Sequence, residues 1–501
     1  MALTINTNVA SLNAQRNLSH TQGELSTAMS RLSSGLRINS AKDDAAGLAI
    51  SDRMTSQIRG LHQASRNAND GISLSQTAEG AMQESTNIFQ RIRELAVQAA
   101  NATNSAADRA ALQAEVNQQK TELNRIAQST TFNGLKILDG TFVAQQFQVG
   151  PNPNETIGVS IKSMAADDLG RYTLTETDGI NQVANQGTGA FTTPAGTLPA
   201  ANTIATQTLT ISGSKGAEDI PISAGATAWD IAAKITNAAA ATGVSATARS
   251  EATLNGLNPA GNISMTIGSG GATATVNALV TPSDLTKLAT VINDRSGTTG
   301  VTAIVTGTGE LQLVQAEGRD IRISEFKHSD ASGKIDIAGA DKQTAGTLNA
   351  TSHSTIIAGT VELSSQDSYT ATSDVTAAAG SVFNNATPAE GIISELEPVT
   401  NIDISTIKGA NAAIKIVDSA LSKIDAQRGD LGALQNRFQS TIANLQNVAE
   451  NLTAARSRVR DADIAQETSE LTKANILQQA GVSILSQANQ TPQLALQLLQ
   501  G

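Results

Sequence analysis

Asp43 and Asp44 are the residues of this chain that most resemble a catalytic pair, because neighbouring carboxylates can share general acid–base work. Their context favours another role. Small polar residues precede them and Ala45 follows, which is typical of a helix N-terminus, where side-chain oxygens cap free N–H groups. We therefore expect both aspartates to be helix caps.

The spacing of the other reactive residues gives no sign of metal or nucleophile chemistry. The chain has no cysteine, which excludes thiolate zinc sites, disulfides and cysteine nucleophiles. It has no His-Glu-x-x-His, Gly-Lys-Ser/Thr or Gly-x-Ser-x-Gly motif. The histidines are isolated, at positions 20, 62, 328 and 353. We expect no catalytic residue, cofactor or metal, and a protein that is not an enzyme.

The composition excludes further classes of protein. The 501 residues carry a net charge of −11 and only 2% aromatic residues. Proteins that bind nucleic acid or anionic membranes favour basic surfaces, and base stacking needs aromatic rings. No run of 18 apolar residues is present, so no spanning helix is expected. The first residues lack a secretory signal pattern, so we expect a chain that stays in the cytoplasm or leaves without signal cleavage.

Proline placement predicts helical ends and a non-helical middle. None of the ten prolines lies in 1–150 or in 399–491. A proline inside a helix costs about 3 kcal/mol, so only these two stretches can be long helices. Glycine follows the same division, with six residues in 1–130 and four in 399–490. Two long helical regions therefore flank a middle of another kind.

Apolar residues in both ends recur every three or four residues, which is the spacing of coiled coils. A continuous helix from about 44 to 100 would be about 85 Å long and would need helical partners. A seam from Ile414 to Leu452 in the C-terminal stretch is the obvious partner. Ser105 and Asp108 have the spacing of a capping box that begins a further helix.

The middle of the chain, about 131–400, is rich in Thr, Ser, Gly, Ala and Asn. Alternating runs such as Thr208–Ser212 and Leu311–Val314 predict exposed β-hairpins. The segments 208–249 and 263–304 share a weak repeat in which strands precede one short helix and a Gly-Val strand. Each unit has the pattern of a small α+β module.

Several segments at both ends resemble bacterial flagellins. They are Met1–Leu12, Arg31–Ile50, Arg66–Ser73, Thr77–Gly80, Phe132–Gly140, Phe147–Gly150, Ala455–Ile464 and Ala474–Ala480. The resemblance covers roughly residues 1–165 and 400–501, in matching order. The repeated middle is similar, more loosely, to insert modules of some flagellins.

The resemblance implies an α+β multidomain fold, with a long α-helical coiled-coil stalk formed by both termini and β-rich outer domains formed by the central insert. It implies terminal helices of an inner filament core, a helical rod domain with a β-hairpin region, and variable surface-exposed domains. Their expected ranges are 1–42 with 458–501, 43–172 with 400–457, and 173–399. Two α+β repeat modules are expected in the last range, near 205–250 and 262–326.

The resemblance also implies a function: a structural subunit that polymerises into the helical filament of the bacterial flagellum for motility. Such a chain is exported through the flagellar type III channel without a cleaved signal peptide and is extracellular. Its implied partners are copies of itself, an export chaperone at the C-terminal helices, the filament cap and hook-junction proteins, and a host innate immune receptor. Neither nucleic acid nor membrane insertion is expected.

Assembly is expected to be coupled to folding. Ordering about 40 residues at each end costs tens of kcal/mol, which the seams of one chain cannot offset. We therefore expect residues 1–40 and 460–501 to become helical on assembly. The residues expected at the subunit interface are Leu18, Leu25, Met29, Leu32, Leu36, Leu494, Leu496, Leu498 and Leu499.

Arg91, Leu95 and Glu115 resemble the patch that the flagellin-sensing Toll-like receptor recognises. Arg91 and Leu95 are spaced i, i+4, so they lie on one face of a helix. The simpler interpretation is a solvated helix face that packs against the next subunit, and the two are compatible.

Three alternatives remain open at this point. A hook–filament junction protein shares the terminal architecture but lacks the close match across Arg31–Ile50. An enzyme displayed on the filament would need a catalytic constellation in 170–400, where none is visible. A secreted adhesin would use the central repeats to bind a host glycan or mucin.

Overall fold

The computed structural model of the chain describes residues 7–174, 201–339, 344–376, 379–383 and 387–500, and of 344–345 and 491–500 it describes the backbone alone. Among these residues no helix is both long enough and apolar enough to cross a membrane.

Long helices lie at both ends and the strands lie between them. The helices are α1 (Val9–Ser34), α2 (Ala45–Ala99), α3 (Ala106–Ser129), α4 (Ala228–Asn237), α5 (Ala239–Thr242), α6 (Thr286–Asp294), α7 (Ser296–Thr299), α8 (Ile407–Arg460) and α9 (Ile464–Gln500). A 3₁₀ turn covers Val399–Asn401.

The strands are mostly short, and β8 is the longest among the described residues. They are β1 (Thr131–Phe132), β2 (Leu135–Lys136), β3 (Gln145–Gln148), β4 (Thr156–Val159), β5 (Gly170–Thr173), β6 (Gln207–Gly213), β7 (Gly216–Ile222), β8 (Val244–Asn258), β9 (Gly261–Ser269), β10 (Ala272–Val280), β11 (Val301–Gly307), β12 (Glu310–Gln315), β13 (Ile321–His328), β14 (Lys334–Ala338), β15 (Thr344–Leu348), β16 (Thr355–Ile357), β17 (Thr360–Ser365), β18 (Thr370–Ser373), β19 (Ile392–Ile393) and β20 (Glu395–Pro398). The predicted α+β fold with helical ends and a β-rich middle is confirmed.

The start of α2 confirms the predicted capping role for Asp44 and shows that it is wrong for Asp43. Asp44 Oδ1 accepts a hydrogen bond from the Gly47 backbone N–H at 2.8 Å. Asp43 Oδ2 accepts one from the Ser40 backbone N–H at 2.8 Å, so it closes the turn that precedes α2 rather than capping the helix. This backbone hydrogen bond, with others from the same turn, holds the pKa of Asp43 below its usual value. From this start α2 runs unbroken for 55 residues, as the sequence predicts.

The predicted capping box before α3 is also present. The Ser105 side chain accepts a hydrogen bond from the Asp108 backbone N–H at 3.2 Å. The Asp108 carboxylate in turn accepts one from the Ser105 backbone N–H at 2.9 Å. Each residue thereby satisfies a free N–H group of the other at the helix start.

The chain divides into two compact units, to both of which α2 and α8 contribute residues. The first consists of Met1–Glu79, Phe142–Ile161 and Gly429–Gly501. In it, Leu61 and Ala64 of α2 pack with Leu445 and Ala449 of α8 in a small buried cluster. Leu445 and Ala449 belong to the seam that the sequence predicts for the C-terminal stretch.

A buried phenylalanine joins the β3–β4 hairpin of the first unit to the helices. The Phe438 ring is fully buried, and its centroid lies 5.8 Å from that of Phe147 in an edge-to-face arrangement. A Cβ on Gly71 would lie 2.6 Å from Phe438 Cζ, so the ring fits only because residue 71 is glycine. Such aromatic pairs contribute about 0.5–1.5 kcal/mol beyond the apolar area that they bury.

The second unit consists of Gly80–Thr141 and Lys162–Arg428 and holds three larger antiparallel sheets. Their strand orders are β10-β9-β13-β16, β19-β18-β6-β7 and β11-β12-β8-β17-β5-β20, with β14 pairing both β8 and β15. The long β8 pairs β17 along its start, β12 along its middle and β14 along its end. One strand therefore spans most of the largest sheet.

Two segments of the second unit have the same order of elements. In the first, the β6–β7 hairpin is followed by α4, α5 and β8; in the second, the β9–β10 hairpin is followed by α6, α7 and β11. Helices α5 and α7 each end at a glycine in the left-handed region, Gly243 with φ 79° and Gly300 with φ 68°. Only glycine adopts this conformation without strain, so both strands begin after the same kind of cap.

The expectation that Thr208–Ser212 and Leu311–Val314 form exposed hairpins is wrong in one respect. Both runs are strands, within β6 and β12, but Leu209 and Leu313 are fully buried. The alternating pattern identifies the strands correctly. Their apolar faces are buried because residues from distant segments of the chain pack against them. Phe383 shares the core of Leu209, and Phe326 shares that of Leu313.

A cluster of charged side chains holds three strands and α8 of the second unit together. The Arg171 side chain on β5 is only 7% exposed and donates from Nε to Glu397 Oε2 on β20 at 2.6 Å. Arg171 Nη1 also pairs with Glu362 on β17, whose other oxygen pairs with Lys415 of α8. The buried guanidinium is therefore neutralised on two sides, as buried charges require.

Candidate assembly interface

The pair formed by α1 and α9 is antiparallel and held in one register along its length. Near the base, Arg31 Nη1 lies 3.2 Å from Glu467 Oε1. Midway, a Cβ on Gly481 would lie 3.9 Å from the Cβ of Leu18. At the far end, Asn8 Nδ2 donates to the Ala488 carbonyl at 2.8 Å. All of these contacts lie within the first unit.

The buried residues of this pair are mostly small, as far as its side chains are described. They are Ser11, Ala14, Thr21 and Ala28 on α1, with Glu467, Ala474 and Ala488 on α9. Small residues at heptad spacing let two helices approach closely, but each buries little apolar area. The interior of the pair is therefore thin.

The predicted N-terminal interface leucines, of which Leu36 follows the end of α1, lie at the border of this seam. Leu18, Leu25, Leu32 and Leu36 are half-buried, whereas Met29 is 57% exposed. Leu494, Leu496, Leu498 and Leu499 fall in the last turns of α9, where side chains lie outside the described residues. Whether any of these residues contacts another subunit stays a prediction.

Large apolar side chains face outward on both helices. On α9, Ile476 is 61% exposed and Ile484 58%, and Val9 on α1 is 62% exposed. Other exposed apolar residues of the pair are Leu12, Ile464, Leu477 and Val482. Exposed apolar area at this density marks an association surface on most soluble proteins.

A short backbone bridge closes the base of the pair. α1 ends at Gly35, whose φ of 71° gives a left-handed cap. Arg37 N–H then donates to the Arg460 carbonyl at 2.7 Å, and Ala462 N–H donates to the Gly35 carbonyl at 3.0 Å. These bonds continue the register of the helices into the segments that join α1 to α2 and α8 to α9.

The candidate receptor patch is assembled only in part. Arg91 Nη2 lies 2.8 Å from Glu115 Oε1 across the α2–α3 pair, and Arg91 Nη1 lies 3.0 Å from Glu94 Oε2. The hydrogen bond with Glu115 raises the pKa of Arg91. Leu95, in contrast, is 1% exposed. It belongs to the helical core, so the surface formed by Arg91 and Glu115 does not include its side chain.

Nothing in the described part of the chain groups three His, Asp or Glu side chains as a metal site would. His20 lies 3.4 Å from Glu24 one helical turn away, and His353 Nδ1 lies 3.0 Å from the Phe326 carbonyl. Both contacts serve local structure.

Two features of the interface are absent from the sequence predictions. One is the column of small residues on α9, Ala474, Gly481 and Ala488, and the other is the Arg31–Glu467 pair. The heptad spacing of the small residues is a usable signal, since it matches that of the leucines on α1. The ion pair has no signal of its own, because its members are 436 positions apart.

Comparisons with known proteins agree with the helical ends and the modular middle. A model of the bacterial flagellin N-terminal helical region matches residues 5–143, and one of the C-terminal helical region matches 414–499. A flagellin hook IN motif matches 208–258, the first of the two repeated segments.

Relatives that match this chain over its full length are also flagellins. The chain is 45% identical to the B-type flagellin of Pseudomonas aeruginosa and 37% identical to polar flagellin C of Vibrio parahaemolyticus, over 100% of both chains in each case. A solved structure of FliC from Burkholderia pseudomallei is 22% identical, with a TM-score of 0.30, and covers 73% of this chain and 99% of that one.

These matches define a structural protein of the bacterial flagellum. The chain belongs to the bacterial flagellin family. It is a structural subunit that polymerises into the flagellar filament, which is extracellular. A hook–filament junction protein is not favoured, because the full-length relatives at this identity are flagellins.

Proposed function

We propose that this chain joins the filament by coupled folding, in which α1 and α9 become stably paired only when neighbouring copies cover their outer apolar faces. The observation that carries the proposal is the arrangement of the pair, which buries small residues and exposes large ones such as Val9, Ile476 and Ile484.

The balance of free energies supports this mechanism. Helices α1 and α9 contain 26 and 37 residues. Ordering them costs about 1–2 kcal/mol per residue before hydrogen bonds and packing are counted. Burying a large apolar side chain contributes only about 1.5–3 kcal/mol. A seam of alanine, serine and glycine contributes less, so contacts from neighbouring subunits must supply much of the difference.

We also propose the domain organisation that the family resemblance implies. Residues 1–42 and 458–501 form the inner core of the filament, 43–172 and 400–457 the rod, and 173–399 the outer surface. The interface residues are Leu18, Leu25, Met29, Leu32 and Leu36 on the N-terminal side, and Leu494, Leu496, Leu498 and Leu499 on the C-terminal side. The half-burial of the first group other than Met29 leaves part of each side chain free for a neighbour.

Deletion of either terminal helix tests the proposal. Chains lacking 1–40 or 460–501 should stay folded and monomeric, whereas the full chain should form long filaments when short filament seeds are added. Electron microscopy measures filament length, and hydrogen exchange should show that α1 and α9 amides gain protection only on assembly. Filaments of normal length from either truncated chain, or full protection of both helices in the monomer, would contradict coupled folding.

The same exposed face supports the proposed partners. An export chaperone would cover the apolar side of α9 before assembly, and the filament cap and hook-junction proteins would meet it at the filament ends. Export would use the flagellar type III channel without signal cleavage. We further propose that the chain has no catalytic activity and needs no cofactor.

A second proposal is recognition by a host innate immune receptor at Arg91 and Glu115. Their direct ion pair places a cation and an anion side by side on two helices, and the side chains are 48% and 40% exposed. Arg91→Ala and Glu115→Ala should each lower receptor activation by the soluble chain at least tenfold. Arg125→Ala, which breaks a similarly exposed pair with Glu122 on α3, should not. Equal activation by all three variants would contradict this proposal.

A further inference from the structure

The α1–α9 pair has a packing pattern that repeats every seven residues. In the observed register Leu18 faces Gly481. By extension at heptad intervals, Leu25 faces Ala474, and Ala14 and Ala28 face half-buried leucines of α9. In most heptads, therefore, a large residue on one helix faces a small residue on the other. Knobs-into-holes packing of two closely spaced helices requires this arrangement.

This regularity makes the apolar seam ambiguous. Sliding α9 by seven residues, about 10 Å along the helix axis, would again place Leu18 against a small residue, Ala474 in one direction and Ala488 in the other. The shape of the seam therefore does not specify one register, as in coiled coils whose core positions are uniform.

A buried carboxylate breaks the repeat. Glu467 occupies the same heptad column as Ala474, Gly481 and Ala488, and it is only 8% exposed. Its carboxylate pairs with the Arg31 guanidinium at 3.2 Å. After a slip of one heptad the carboxylate would be away from Arg31. A buried charge without its partner is strongly unfavourable, whereas a buried pair adds little net stability.

The helix dipoles favour an arginine at position 31 and a glutamate at position 467, rather than the reverse. Arg31 lies in the last turn of α1, where backbone carbonyls favour a cation, and Glu467 lies in the first turn of α9, where N–H groups favour an anion. We propose that Arg31 and Glu467 are positioning residues that select the register of the terminal helix pair, and thereby the arrangement in which a subunit can enter the filament.

This inference rests on the proposed function, because register matters only if the pair is part of the assembled subunit. It also has two structural competitors. The backbone bridge between Gly35–Arg37 and Arg460–Ala462 has the same register, and so do the hydrogen bonds from Asn8 Nδ2 to the Ala488 carbonyl and from Ser11 Oγ to Asn489 Oδ1 at the far end. If these contacts alone aligned the helices, removing both charges would leave the register unchanged.

Cysteine cross-linking measures the register directly, since the chain has no cysteine of its own. The pair Leu18→Cys with Gly481→Cys reports the observed register, because their Cβ atoms would be 3.9 Å apart, a distance suited to a disulfide. Leu18→Cys with Ala474→Cys, and with Ala488→Cys, report slips of one heptad in either direction. Each pair is oxidised in filaments grown from seeds.

In the otherwise unchanged chain only the 18–481 pair should cross-link. With Arg31→Met and Glu467→Met together, the seam stays apolar and the slipped pairs should rise at least tenfold, to yields comparable with 18–481. Glu122→Met with Arg125→Met, which removes an exposed pair on α3, is the matched control and should change nothing. Exclusive 18–481 cross-linking in the Met variant would overturn the proposal and assign the register to the backbone bridge and the hydrogen bonds at the far end of the pair.

If the Met variant does not assemble, charge reversal decides. Arg31→Glu should lower the yield of filaments at least tenfold, and adding Glu467→Arg should recover most of that loss. Reversal without recovery would overturn the proposed pairing. Failure of the unmodified chain to assemble would instead contradict coupled folding, so the two ideas are tested separately.

Discussion

The terminal helix pair and the cores of the second unit treat their apolar side chains in opposite ways. In the second unit, Ile267, Leu288 and Ile321 are at most 1% exposed within one continuous cluster. In the terminal pair, Ile476 and Ile484 are more than half exposed. Both regions contain regular elements with good apolar patterns, so the pattern itself does not decide burial. What decides it is whether the same chain supplies a partner surface.

This difference separates stability from assembly. The second unit gains its stability from contacts inside one chain, so substitutions there should act on the free energy of unfolding. The terminal pair buries mostly small side chains and leaves large apolar ones exposed, so substitutions on its outer face should act on polymerisation. The variants below test that separation, in order of their expected effect on the unfolding free energy of the soluble chain.

Phe326→Ala should have the largest effect on stability. Phe326 is 1% exposed in the core that it shares with Leu313 and Met265. Replacing a buried phenylalanine by alanine costs about 3–5 kcal/mol, through lost transfer energy and the cavity left behind. Denaturant unfolding of the soluble chain measures the loss. A change below about 1 kcal/mol would show that this core does not determine the stability of the second unit.

Arg171→Met should follow, with a loss of about 3–4 kcal/mol. The variant leaves Glu397 without a partner and Glu362 with Lys415 alone. The cost lies at the lower end for buried pairs because both carboxylates are about one-third exposed. Lys162→Met, which removes an exposed pair with Asp367 at 3.8 Å, is the control and should change stability little. Equal effects of the two variants would contradict the importance of burial.

Asp320→Asn should stabilise the second unit at neutral pH by about 2–3 kcal/mol. Asp320 is 2% exposed, and its carboxylate accepts hydrogen bonds from Asn202 Nδ2 at 3.1 and 3.3 Å. Burial raises the pKa of Asp320 to about 6. The folded state therefore favours the protonated acid, and the associated stability is present at low pH and lost as pH rises through about 6.

The pH dependence of the stability difference tests this substitution more directly than its value at one pH. Between about pH 4 and 6 the advantage of the Asp320→Asn variant over the unmodified chain should disappear as the solution becomes more acidic. Asp425→Asn, at a side chain that is 65% exposed, is the control for the same change of charge on the surface of the second unit. A stability difference between the unmodified chain and the Asp320→Asn variant that stayed constant over this range would rule out titration of Asp320 as its cause.

Local rules were enough to predict the long helical stretches and the starts of α2 and α3. Proline exclusion gave the long helical stretches, and the spacing of Ser105 and Asp108 gave the cap of α3, because these effects act within a few residues. Distant pairings could not be predicted in this way. The burial of Leu209 and Leu313 depends on Phe383 and Phe326, and the Arg31–Glu467 pair joins opposite ends of the chain.

The candidate sites show the same limit. The family resemblance placed Arg91 and Glu115 together, and they do form an ion pair. It also placed Leu95 with them, although the helical period that puts Leu95 one turn from Arg91 continues the apolar row formed with Ile88 and Ile92. All three of those residues are at most 9% exposed. Spacing alone could not tell which of the two neighbouring faces Leu95 belongs to.

Ile476→Ser should change stability least and assembly most. The side chain is 61% exposed on α9, so replacing it should alter the unfolding free energy of the soluble chain by no more than about 0.5 kcal/mol. If neighbouring subunits cover this face, the same change removes apolar contact area from every added subunit, and filament growth from seeds should slow at least tenfold.

Ile393→Ser is the matched control, because Ile393 is 70% exposed but lies on β19 in the second unit. Light scattering and electron microscopy of both variants then separate an assembly surface from ordinary exposure. Equal growth rates for the two would mean that the exposed face of α9 has no special part in the filament, and the contrast between the two regions would be one of packing alone.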